Sequence, residues 1–79
     1  MTENDVALLR QSIDKIVRFR CTDGEIILGK VHAVDVEDEE IVYDLVTTTD
    51  ESKYEKRDEQ PAYLIRFNDI ASVEATTID

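Results

Sequence analysis

VRFRCTDGEIILGKVHAVD, residues 17–35, decides the fold. Its first part alternates: Val17, Phe19 and Cys21 fall on one face, Arg18 and Arg20 on the other. That two-residue period is the pattern of a half-buried strand. Asp23-Gly24 follows, the strongest short-range hairpin signal in the chain, because glycine tolerates the positive φ that tight turns need. The second part stays apolar through a glycine, Gly29, whose interior position marks a bend or a close backbone approach. The pattern predicts strands over residues 15–22 and 25–36, the second long enough to curve and serve two sheets.

The flanks extend the same reading. Upstream, Val6, Leu9 and Ile13 make one helical stripe, predicting a short helix over about 4–13. Thr2 or Asn4 can cap it, and Glu3 and Asp5 sit where the helix dipole favours negative charge. Downstream, Asp35, Glu37, Asp38, Glu39 and Glu40 place five acids in six residues, a turn. EIVYDLVTT (40–48) is a third strand, rich in β-branched and aromatic residues. Residues 49–60 are polar and without period, the variable loop. PAYLIRF (61–67) is a fourth strand with Pro61 at its start, where a missing N–H does least harm. Asn68-Asp69 make a tight turn, and IASVEA (70–75) is the fifth strand.

A chain of 79 residues reads as one domain, or part of one, over 1–79, with a small core. One helix and five short antiparallel strands, the second long and bent, most simply roll into a closed or nearly closed small barrel, which hides sheet edges. The fold class is mainly β: a short N-terminal helix followed by a five-stranded, strongly bent antiparallel small barrel of the SH3-like kind. Thin cores are often supplemented by disulfides, metals or self-association. A single cysteine excludes an internal disulfide, and a single histidine, His32, excludes Cys/His zinc spacing. Self-association is the remaining compensation.

Charge narrows the partners. The formal charge is −10, which works against nucleic acid and anionic lipid. Residues 35–59 hold eleven of the nineteen acids and only Lys53, Lys56 and Arg57 among nine bases. No run is long and apolar enough to span a membrane, and the first twelve residues lack a signal-peptide pattern. The expectation is a cytoplasmic protein with a reduced thiol.

The order of these parts resembles the Sm-like family, small β-barrels with an N-terminal helix that assemble into rings. Residues 17–35 are similar to the first Sm motif: alternating apolar residues, Asp23-Gly24, Gly29 five residues later, then Asp35. LIRFNDIASVEA (64–75) is similar to the second, with Ile65, Arg66, Asn68, Asp69 and Ile70 in place and Phe67 where the family has glycine. The resemblance spans about residues 4–75. It implies single-stranded, often uridine-rich RNA held around a pore. Two residues after the motif aspartate the family carries an aromatic or His for base stacking, and four residues after it an Asn for the base edge. Glu37 and Glu39 stand there, and a one-residue shift would bring Glu40. Arg66 keeps the second-motif arginine. Stacking contributes about 1–3 kcal/mol per base, which a carboxylate cannot supply, and carboxylates repel phosphate. The candidate rim is therefore Asp35, Glu37, Glu39, Glu40, Arg66 and Asn68, with RNA disfavoured by charge. The resemblance also implies that the last two strands join neighbouring subunits, making Tyr63, Leu64, Ile65, Phe67, Ile70 and Val73 the expected interface and core.

Each candidate has a plainer reading. The acids are a solvated turn, or a rim for a basic protein segment or divalent cations; an EF-hand loop is excluded, since Glu40 and Val46 stand where Gly and Glu are required. Arg66 is a base-stacking residue or a charge partner of the turn acids or Asp69. Tyr63 and Phe67 read as core or interface packing. Arg18, Arg20, Lys30 and His32 form a phosphate-contacting stripe or pair with neighbouring acids such as Glu25. Cys21 lacks a histidine partner and reads as a small hydrophobe. No catalytic residue, cofactor or metal is expected. The leading reading is a non-enzymatic, acidic, homo-oligomeric scaffold, a ring or a dimer. An RNA-binding ring and a monomeric SH3-like adaptor gripping a basic peptide are the alternatives.

Overall fold

A computed structural model describes residues 1–54 and 62–76. Helix α1 (Glu3–Gln11) precedes five strands: β1 (Ile16–Cys21), β2 (Ile26–Asp35), β3 (Glu40–Thr48), β4 (Tyr63–Arg66) and β5 (Ile70–Ala75). Single 3-10 turns lie at Glu51–Lys53 and Phe67–Asp69. The strands form one antiparallel sheet in the order β4-β3-β2-β1-β5, so β4 and β5 are its two edges. The expected start of the fourth strand at Pro61, and loop residues 55–60, lie outside the described residues.

Helix α1 is set by a reciprocal cap. The Asp5 N–H donates to Thr2 Oγ1 at 3.2 Å, and the Thr2 N–H donates to the Asp5 carboxylate at 3.1 Å. Thr2, not Asn4, is the cap. The helix stops at Gln11, two residues short of the expected end. Ser12 donates back to the Leu9 carbonyl, and Asp14 turns into the left-handed region at φ 69°. Ile13 therefore leaves the helical stripe and is 45% exposed, whereas Leu9 is fully buried. The expected Val6–Leu9–Ile13 face is corrected to Val6 and Leu9, with Leu8 beside them against the core.

The β1–β2 hairpin turns as its chemistry requires. Gly24 has φ 95°, and Asp23 Oδ1 accepts the Glu25 N–H at 3.0 Å. Val17, Phe19 and Cys21 point inward, as alternation predicts. Gly29 is a point of close approach. A Cβ there would meet Tyr43 Cδ2 at 2.7 Å and Phe19 Cε2 at 3.1 Å. The two rings pack with centroids 5.4 Å apart. The β2–β3 register shifts between Leu28 and Gly29 and again between Val31 and Ala33. These bulges bend β2, so that its first half pairs with both β1 and β3 and its second half with β3 alone.

The core gathers inward residues of β1, β2, β3 and β5 with Leu9: Phe19, Ile27, Val31, Ile41 and Ile70 are each at most 1% exposed, and Tyr63 and Ile65 of β4 pack against them half-buried. Burying such a side chain contributes about 1.5–3 kcal/mol. One strand boundary is corrected. Phe67 extends the alternation of PAYLIRF, but the chain leaves the sheet at Arg66, and Phe67 opens the 3-10 turn with its ring buried.

Candidate functional site

The β2–β3 turn and the β4–β5 turn meet at one end of the sheet. Asp35 pairs in register with Glu40, and Glu40 with Arg66, so three rim candidates stand in one row across three strands. The turn itself is built from its own acids: the Asp38 N–H donates to Asp35 Oδ1 at 3.0 Å, and Glu39 takes the left-handed conformation at φ 55°. The Glu39 carbonyl then accepts the Phe67 N–H at 2.9 Å, fastening one turn to the other. Asp35, Glu37, Glu39, Arg66 and Asn68 are exposed, and Glu40 is half-buried. The expected rim residues are thus together, and Asp38 belongs with them. Among the described residues of this rim, carboxylates outnumber cations, with Arg66 the cation. Glu40 and Arg66 face each other only as register partners, with no ion pair between their side chains.

The six interface and core candidates divide by burial. Phe67, Ile70 and Val73 are buried within one chain, at 8%, 1% and 6% exposure. Tyr63 and Ile65 are half-buried against the core, and Leu64 points outward at 54%. The alternation on β4 sends Leu64 and Arg66 outward, and β4 is an edge strand among the described residues. No exposed Tyr63–Phe67 cluster is left to hold a peptide, which removes the feature that would favour the monomeric adaptor in its expected form.

Basic residues of β1 and β2 are engaged by acids, though by different ones from those expected. Arg20 Nε donates to the Glu74 carboxylate at 2.8 Å, and Arg18 approaches its other oxygen at 3.5 Å. The Arg20 hydrogen bond and charge, with Arg18 behind them, hold the Glu74 carboxyl below its ordinary value. His32 Nε2 lies 2.6 Å from Asp44 on the neighbouring strand. The expected partner Glu25 is instead buried. It accepts from the Thr48 hydroxyl and from the Tyr54 hydroxyl at 3.1 Å. Tyr54 also meets Tyr43 oxygen to oxygen at 3.3 Å and stacks edge-on against Tyr63 at 4.8 Å. Burial, followed by the Tyr43 contact, pushes the Tyr54 hydroxyl well above the usual phenol range, and burial raises the Tyr43 hydroxyl against the opposing pull of its Tyr54 contact. Nothing in the local sequence announces this network, because its members come from three separate segments.

The same hairpin brings Cys21 Sγ and carboxylate oxygens of Asp23 and Glu25 within 4.8 Å of one another. This is a sulfur and two oxygens where no metal donors were expected. Glu25 is already committed to two hydroxyl donors, and Cys21 is almost fully buried. They border a cavity also lined by Thr22, Ile65 and Asp69.

The helix-first order, the bent second strand and the juxtaposed turns can now be compared with known proteins. The crystal structure of an SmAP (LSm) protein from Methanococcus vannielii superposes with a TM-score of 0.67 and 19% identity, covering 92% of this chain and 96% of that one. The fold is Sm-like. No protein-family model and no curated protein matches the sequence. In this Sm-like frame the acidic rim occupies the paired β2–β3 and β4–β5 turns, and the two sheet edges flank it. No helix among the described residues is long and apolar enough to cross a membrane.

Proposed function

We propose that the chain is a non-enzymatic assembly module that joins copies of itself through β4 and β5 and presents an acidic rim that refuses RNA. One observation carries the reading: the sheet ends in two edge strands, β4 and β5, with the rim acids on the turns beside them. An open edge offers a row of backbone N–H and C=O groups, and adding a strand of another copy satisfies it. The two edges differ, so pairing β4 of one copy with β5 of the next is head-to-tail and closes into a ring if the rotation allows. The backbone of Tyr63, Leu64 and Ile65 on β4 would lie at that junction.

At the rim, Asp35, Glu37, Glu39 and Glu40 stand against Arg66 and Asn68. Each added subunit would bring another set of acids to the same end, raising the repulsion felt by a phosphate backbone. The Arg18–Arg20 pair does not compensate, being shared with Glu74. The rim accepts cationic groups and works as a scaffold surface inside the cytoplasm. The test is a uridine-rich RNA with a fluorescent label, titrated with the parent chain and with a Glu37→His/Glu39→Asn double variant. The parent is expected to show no binding at moderate salt, and the variant a measurable gain, because an aromatic ring and an amide replace two like charges. Parent binding at micromolar concentration would refute the acid-rim reading.

A further inference from the structure

The outer face of β2, β3 and β4 carries an apolar row that the core does not use. Ala33 pairs with Val42, and Val42 with Leu64, two rungs from the Asp35–Glu40–Arg66 row and on the same face. Their neighbours Ile41 and Tyr43 are buried, at 0% and 2%, so alternation turns Val42 outward. Ala33 is exposed, Val42 half-buried and Leu64 54% exposed. On one side stand the rim acids. On the other, Asp44 is engaged by His32. This row belongs to the face of the strands, not to their edge, so pairing of β4 with another copy would leave it open.

We propose that this face docks a short basic segment of another protein. A leucine-like side chain of the segment rests on Ala33, Val42 and Leu64, while flanking arginines or lysines reach Asp35, Glu37 and Glu40. Charge complementarity selects that occupant. A second copy of this chain carries −10 itself and would bring acid to acid, whereas a cationic segment relieves the crowding of carboxylates on the rim. The apolar row supplies what charge alone lacks: a fixed position, and affinity that survives salt. The inference rests on the acidic rim of the preceding section and not on self-association.

The experiment uses the full chain and two labelled peptides, one with a leucine between arginines and one with serine in its place, followed by fluorescence anisotropy at physiological salt. The leucine peptide is expected to bind at least tenfold more tightly than the serine peptide. Ala33→Arg, an exposed position that folding tolerates, should weaken the leucine peptide at least tenfold. Val42→Thr, which keeps the strand-forming shape, should erase the leucine preference and leave the serine peptide unchanged. Equal binding of the two peptides would reduce the face to a charge effect and overturn the proposal. So would an unchanged Ala33→Arg, or displacement of the peptide by uridine-rich RNA. Light scattering on the same samples keeps the two readings apart: a monomer that binds the leucine peptide refutes assembly and sustains the docking face.

Discussion

Replacing Gly29 by alanine probes the bend on which the Sm-like fold turns. The added Cβ would stand 2.7 Å from Tyr43 Cδ2 and 3.1 Å from Phe19 Cε2, both on rings that are at most 2% exposed. Those rings pack against each other at 5.4 Å between centroids, so neither can retreat without disturbing the other. Overpacking of this kind costs about 1–3 kcal/mol. Alanine offsets part of that by restricting the unfolded chain, contributing about 0.4–1 kcal/mol. The net loss is then about 1–2 kcal/mol, which for a domain of this size lowers Tm by roughly 5–15 °C. Urea and thermal unfolding of both proteins at one fixed concentration read it directly, with concentration held constant because assembly would move Tm as well. A Gly29→Ala protein as stable as the parent would refute the claim that close backbone approach, and not the bulge alone, requires glycine here.

Further outcomes follow from the polar groups. Tyr54→Phe removes a donor from the buried Glu25 and the contact with Tyr43; leaving that carboxylate short of a partner should cost about 1–3 kcal/mol, read as a lower urea midpoint. The raised Tyr43 and Tyr54 hydroxyls stabilise the folded chain fully below the ordinary phenol value near 10. That contribution falls as pH rises from there towards their folded values, so alkaline unfolding should begin there and Tyr54→Phe should weaken the dependence. For Glu74 the sign is opposite. Its depressed carboxyl contributes above the ordinary glutamate value and the contribution disappears as pH falls through the folded one. NMR titration should place it below the ordinary range, and Arg20→Ala should move it back up.

The hairpin at Asp23-Gly24, the bend at Gly29 and the acidic turn were legible in the sequence because each is fixed by local backbone chemistry or by composition. The rim was legible for a related reason. Asp35, Glu40 and Arg66 sit at strand ends, and a hairpin followed by an edge strand brings such ends together. Other features depend on contacts across the chain. Glu74 became the partner of Arg18 and Arg20 because β5 lies beside β1, and no spacing in the sequence encodes that neighbour. Glu25 reads as a surface acid until Thr48 and Tyr54 close over it. Ile13 fits the helical period, but the left-handed turn at Asp14 takes it away, and Phe67 fits the strand alternation, but the chain turns there to seat its ring. The apolar outer row is not legible in the sequence, because Ala33, Val42 and Leu64 become neighbours only once the second bulge in β2 sets the register.

The function proposed for this Sm-like chain is assembly through its two edge strands, with a rim closed to RNA. Light scattering on a size-exclusion column, at low and moderate salt and with and without a short uridine-rich RNA, tests it most directly. A multi-subunit species is expected, weaker at low salt where the acids repel unscreened, that elutes without the RNA. A chain that stays monomeric at every salt concentration, or RNA that travels with the assembly at moderate salt, would contradict it.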